Sequence, residues 1–211
     1  MAHLALFGGS GRTGRQVLDQ ALAAGHTVRA LSRRPESIPQ RSPLLTVVQG
    51  DVLDPEAVRS TVSGTEAVIS VFGHVKGSPA AVQTEGTQAI VDAMEAQGLR
   101  RIVSLSGGGL PYPDKDQPKL PDRVIRLLLR VLSPTVIKDA EEHLRVLEES
   151  GLDWTVVRGP VLTDAPLSGR YRVGWVGVDA GMKLGRADLA QFILREALNP
   201  AYVRQLPFIS Y

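Results

Sequence analysis

Cysteine is absent from the 211 residues, so disulfides, thiolate-ligated zinc and thiol catalysis are excluded at once. A surplus of one charge sign is missing too. The chain has 24 Lys and Arg against 22 Asp and Glu, and a net +2 gives no electrostatic basis for holding nucleic acid. No uncharged apolar run approaches the roughly 18 residues of a membrane span. Gly8 and Gly9 interrupt the N-terminal apolar run that a secretion signal needs. His3, His26, His74 and His143 show no ligand spacing, and no carboxylate cluster accompanies them, which argues against a metal. The expectation is a cytoplasmic protein with no nucleic-acid, membrane or metal partner.

What is present starts with Gly8-Gly9-Ser10-Gly11-Arg12-Thr13-Gly14, which follows an apolar run at 3–7 and opens a helical pattern at 13–24. Two spacings fit together: Gly9, Gly11, Gly14 as G-x-G-x-x-G and Gly8, Gly11, Gly14 as G-x-x-G-x-x-G. Between a first strand and a first helix, such glycines allow the tight turn, the close approach of a pyrophosphate and the packing of helix on strand. Further apolar runs at 27–31, 44–48, 67–71, 101–105, 154–157 and 206–209 alternate with helical patterns at 55–62, 79–97, 122–132, 135–150 and 187–198. Ser78-Pro79 and Ser133-Pro134 supply a capping hydroxyl and a first-turn proline. Gly25, Gly98 and Gly151 sit where a left-handed residue closes a helix. Strands alternating with helices predict parallel pairing with helices on both faces. The expected fold is therefore α/β, a Rossmann-type doubly wound, mostly parallel sheet in one domain over 1–211. Its hydrophobic fraction of 43% supplies a sizeable core.

In such folds the residue ending the second strand meets the adenosine ribose. An acid there suits NAD, and arginine suits the 2′-phosphate of NADP. The second strand runs into Ser32-Arg33-Arg34-Pro35. Guanidinium groups make planar, charge-assisted contacts to phosphate, so NADP(H) is the expected cofactor, with Arg12 as a third contributor. Asp51-Val52 after the third strand fits an adenine contact, with helix capping near Pro55 as the alternative for Asp51. Phe72-Gly73 after the fourth strand fits the chain that lines the cofactor.

Together with Gly50-Asp51-Val52-Leu53-Asp54, the Ser104-Leu105-Ser106 strand end, Lys138-Asp139-Ala140-Glu141 and the block 150–158, the glycine loop resembles atypical short-chain dehydrogenases/reductases. Within them it resembles the NAD(P)H-binding, NmrA-like group, and most closely biliverdin-IXβ/flavin reductases. The resemblance implies NADP binding in an extended pose and hydride transfer to a small planar acceptor such as free flavin or quinone. It places Ser106, Lys138, Pro160 and Val161 beside the cofactor. The sequence departs from the superfamily at its proton shuttle. Tyr-x-x-x-Lys puts both groups on one helical face, yet Pro134 stands four residues before Lys138. The position corresponding to a histidine near the nicotinamide reads Arg158-Gly159-Pro160-Val161-Leu162. A non-catalytic NADP(H) sensor of the NmrA-like type is the alternative.

Ser106 and Lys138 remain the catalytic candidates, with Tyr112 as an alternative acid or stacking lid. Segments 106–133 and 158–186 are expected to cover the substrate side. Within them Gly107-Gly108-Gly109 reads as a flexible lid hinge, and Asp114, Lys115 and Asp116 read as a soluble loop tip. Arg123, Arg126 and Arg130 share one face of a helix whose other side carries Val124, Leu127, Leu128 and Val131. That pattern predicts an amphipathic helix covering the site with a solvated basic face, a membrane or partner surface being the alternative. A monomer or weak homodimer is expected.

Overall fold

The computed structural model describes residues Met1 to Tyr211. Ten strands and six helices follow one another as β1 (His3–Phe7), α1 (Arg12–Ala23), β2 (Thr27–Ser32), β3 (Leu45–Gln49), α2 (Pro55–Val62), β4 (Ala67–Ser70), α3 (Val82–Ala96), β5 (Arg101–Gly107), α4 (Leu120–Leu132), α5 (Pro134–Glu149), β6 (Asp153–Gly159), β7 (Val161–Thr163), β8 (Arg172–Gly174), β9 (Lys183–Gly185), α6 (Arg186–Leu198) and β10 (Phe208–Ser210). Eight strands form one sheet in the order β3-β2-β1-β4-β5-β6-β10-β8, parallel except for the β10–β8 pair. Strands β7 and β9 pair in parallel in a separate two-stranded sheet. The chain is a mostly parallel α/β sheet with helices on both faces.

The central strands are apolar without alternation because both of their faces are covered. In β1, successive side chains enter opposite cores. Leu4 and Leu6 join Val17, Leu18, Leu189 and Ile193 from α1 and α6, whereas Ala5 and Phe7 join Val58, Ile90 and Met94 from α2 and α3. Each such fully buried large side chain contributes about 1.5–3 kcal/mol. At the N-terminal end of the sheet, Arg101 joins layers by donating to the Glu196 carbonyl at 2.7 Å, the Asp153 carbonyl at 2.7 Å and the Thr155 hydroxyl at 2.9 Å. No helix is long and apolar enough to cross a membrane.

Several local expectations are corrected. The third helix starts at Val82 and not at Pro79, because the Ser78 hydroxyl accepts the Val75 N–H in the preceding turn and caps nothing. Ser133 makes no side-chain cap, although Pro134 does open α5. Gly25 and Gly98 adopt positive φ just past their helices, whereas Gly151 does not. The stretch 161–185 contains β7, β8 and β9, three-residue strands too short to show a period. Several buried polar residues join elements of this fold. Ser104 Oγ lies 2.8 Å from His143 Nε2, tying β5 to α5.

Burial pulls His143 down to about 4, from an ordinary 6.5. The folded chain therefore holds the ring neutral while the unfolded chain takes up a proton, and stability is lost as pH falls from about 6.5 toward 4. The carboxyls of Asp116, Asp139 and Asp188 are held below their ordinary 3.8, so the loss they add sets in only at the acid end of this window. Urea unfolding across it should show the wild type losing roughly 3 kcal/mol, and His143→Gln, which keeps a hydrogen-bonding group, should give a clearly flatter profile. Parallel profiles would remove His143 as the cause.

Candidate functional site

Strand order reverses between β1 and β4, and a groove of about 340 Å³ opens there at the C-terminal ends of the strands. This is where doubly wound sheets hold ligands. Its floor is the turn from β1 into α1. Gly8 has φ +90°, and a Cβ on it would sit 2.6 Å from the Phe72 nitrogen. A Cβ on Gly14 would collide with the Gly8 carbonyl. Those two positions accept only glycine. The loop they permit brings Gly8, Ser10 and Gly11 into the groove wall and the unpaired first N–H groups of α1 behind it. The site fits the pyrophosphate of a dinucleotide.

Arg33, Asp51, Val52, Phe72 and Gly73 line the same groove. Arg33 Nε lies 3.8 Å from Asp51 Oδ2, an ion pair across the mouth. Asp51 also accepts the Leu53 N–H at 3.0 Å, and the helix cap belongs to Asp54, which accepts from Glu56 N at 3.0 Å. Arg34 is exposed and outside the groove lining, so the structure separates the two arginines that the sequence presents as a pair. Arg12 points toward Asp164, 3.9 Å away, and Asp164 is held at 2.6 Å by Arg186. Thr13 is buried beneath the loop.

Ser32 lies beyond the sequence reading, whereas His74, just after Phe72-Gly73, is the one histidine the sequence brings near the cofactor. Ser32 is buried, and its hydroxyl donates to the Arg34 carbonyl at 2.9 Å, which fixes the turn carrying Arg33. His74 also lines the groove, and its Nε2 is 2.7 Å from Asp139 Oδ2. Asp139, buried on α5, accepts the Gln83 and Thr84 N–H groups at 2.9 Å and the Thr84 hydroxyl at 2.6 Å. Burial alone would raise this carboxyl. The bonds from Thr84, Gln83 and His74 outweigh it and hold the carboxyl below its usual range. One carboxylate thus caps α3 and fixes His74.

At the end of β5, Ser106 is buried and its Oγ has no hydrogen-bond partner. It shares a strand face with Ser104, the face toward α5. A buried hydroxyl without a partner is costly, so this atom is suited to a ligand's polar group. Lys138 is exposed on α5 and makes no hydrogen bond or ion pair. Pro160 joins β6 to β7, and Val161 is 68% exposed.

Of Gly107-Gly108-Gly109, expected to hinge a lid, Gly107 has open space around it and the other two are closely packed. A Cβ on Gly108 would lie 2.9 Å from the Gly159 carbonyl and the Phe208 ring, and one on Gly109 would meet Ile137 at 2.9 Å. Asp116 is no loop tip. It is 2% exposed and forms a bidentate pair with the fully buried Arg158, at 2.8 and 2.9 Å. Arg158 also donates to the Leu206 and Leu110 carbonyls at 2.9 Å. Asp116 accepts the Tyr112 and Val176 N–H groups at 2.9 and 3.1 Å. Burial would raise the Asp116 carboxyl, but Arg158 and the two backbone donors hold it low. Tyr112 belongs to this anchor and packs at 5.6 Å from Trp175, with the Arg158 guanidinium 5.8 Å from its ring. Burial raises its phenol, which disfavours the role of a ready acid.

A groove of this kind at the strand-order reversal defines a dinucleotide-binding α/β protein. The NAD(P)H-binding family model matches residues 8–200, and the chain belongs to that family. A 3-beta-hydroxysteroid dehydrogenase of Mycolicibacterium neoaurum is 31% identical over 121 residues, 52% of this chain and 33% of that enzyme's length. Two solved structures share the fold. A short-chain dehydrogenase/reductase of Veillonella parvula, in complex with NADP, has 17% identity, TM-score 0.79 and coverage of 100% of this chain and 94% of that one. ChuY of Escherichia coli O157:H7, an anaerobillin reductase, has 20% identity, TM-score 0.78 and coverage of 99% and 96%.

Two outcomes follow from this geometry. Asp116→Ala leaves Arg158 buried without its counter-charge, and chemical denaturation should show a loss of about 3–5 kcal/mol; a loss below about 1 kcal/mol would deny the pair its anchoring role. Arg33→Ala should weaken NADPH binding by about ten- to a hundredfold in calorimetry while leaving NADH nearly unchanged. Arg34→Ala, outside the groove, should cost less. Equal losses for both nucleotides would remove the 2′-phosphate from Arg33.

Proposed function

We propose that this protein is an NADPH-dependent reductase that delivers hydride to a small planar acceptor such as free flavin or a quinone, acting in the cytoplasm. The observation that carries the reading is the sparse polar inventory beyond the nucleotide groove. It offers the unpartnered Ser106 hydroxyl and no Tyr-x-x-x-Lys pair, since Pro134 occupies the tyrosine position. Such a site suits an acceptor that takes hydride without an internal proton donor.

Bound NADPH supplies the hydride, and the protein contributes binding, orientation and exclusion of water. The backbone of 8–11 and the start of α1 cradle the pyrophosphate. Arg33 takes the 2′-phosphate, exchanging its Asp51 partner for a stronger anion, and Asp51 is then free to meet the adenine edge. The Ser106 hydroxyl gains its missing partner from the nicotinamide carboxamide or the acceptor. The segment around Asp116 would help to keep bulk water from a bound nicotinamide and acceptor, where proximity would supply most of the acceleration. The reductase character of ChuY, a protein of the same fold, supports the reading.

The test is NADPH oxidation by the purified protein with FMN and with a soluble quinone, against NADH. Acceptor-dependent turnover that prefers NADPH and falls at least tenfold on Arg33→Ala is expected. Tight NADPH binding with no turnover on either acceptor would overturn the enzyme and leave a nucleotide sensor.

A further inference from the structure

Helix α4 presents its apolar side to solvent. Leu120, Val124, Leu127, Leu128 and Val131 are all exposed, Leu127 by 63% and Val131 by 69%. The side turned to the body is set by other residues. Arg126 reaches inward to Asp116 at 3.4 Å, and Leu129 packs where Gly109 leaves room. At 100° per residue these two lie across the helix from Leu120, Val124, Leu127 and Val131. No helix of the body covers that apolar ridge. Arg123, Arg126 and Arg130 share an arc beside it, with Arg123 and Arg130 exposed and Arg126 turned toward Asp116.

The charge around the ridge is one-sided. From Lys119 to Leu132 the helix and its cap hold four Lys and Arg (119, 123, 126 and 130) against Asp122 alone. Arg126 and Arg130 are paired with Asp116 and Glu141, while Lys119, Arg123 and Lys138 form no ion pair. The 13 residues of α4 extend for about 20 Å, too short to cross a bilayer and long enough to lie within its interface. A second copy of the chain is a poorer occupant. A self-complementary interface would set this cation-rich strip against itself.

We propose that α4 docks the protein peripherally on an anionic lipid surface, with the ridge of Leu120, Val124, Leu127 and Val131 in the acyl boundary and Lys119 and Arg123 at the headgroups. Apolar burial and attraction to anionic lipid act together in such helices. This docking stands apart from the reductase reading, because it uses no residue of the nucleotide groove. It also replaces the expectation, drawn from charge and the lack of a span, of no membrane partner.

The experiment is co-sedimentation of the full chain with vesicles of phosphatidylglycerol and phosphatidylcholine, compared with phosphatidylcholine alone. The protein should pellet with the anionic vesicles and release as salt is raised. Leu127→Asp with Val131→Asp should cut binding on the order of tenfold or more, with an unchanged unfolding midpoint because both side chains are exposed. Arg123→Ala should cut it about fivefold. Absence of binding to anionic vesicles at low salt would overturn the proposal, as would equal binding by the double variant. A dimer in light scattering that the double variant dissociates, without vesicle binding, would assign the ridge to a second copy instead.

Discussion

The Arg158–Asp116 pair ties the segment that follows β5 to β6, to the turn at Val176 and to the chain entering β10. Bringing both charges out of water costs several kcal/mol per ion, and geometry alone offsets it. Here the geometry is favourable. The guanidinium is matched by two carboxylate oxygens and two carbonyls, and the carboxylate by two backbone N–H groups besides. An apolar pair of similar volume would serve stability as well. What it would not do is fix direction. Because β5 and β6 pair with Ser106 opposite Arg158, the ion pair places the segment around Asp116 directly beside the strand end that carries the unpartnered hydroxyl.

Only some parts of the molecule were legible in its sequence. The main strands were, because each carries an apolar run, bare in β4 where all four residues are buried and interrupted by polar residues in the edge strand β3. The glycine loop was, because its requirements are local. Gly8 needs positive φ, and Gly14 needs the absence of a Cβ, whatever the rest of the chain does. The place of Arg33 in the groove lining was legible for the same reason, since the motif fixes where the second strand ends. Its partner Asp51 read as an adenine contact or a helix cap, and only the fold shows the two side chains facing each other.

Long-range polar pairing left no trace in the pattern. Asp116 sits between charged and proline residues, the composition of a loop tip, and its partner lies 42 positions away. Asp139 carries a similar ambiguity. Nothing local says that a carboxylate on α5 caps α3 and holds His74 across the groove. The short strands β7, β8 and β9 were invisible because three residues hold too little of a period-two pattern to separate from a turn.

The orientation of α4 joins these threads. Its binary pattern was read correctly as amphipathic, yet a pattern states only which residues share a face, not which face turns inward. The usual inference turns the apolar face to the core because burial of aliphatic surface dominates. Here Arg126 faces the body and lies 3.4 Å from Asp116, a carboxylate already paired with Arg158. The apolar ridge lies on the side of the helix opposite that contact and faces outward.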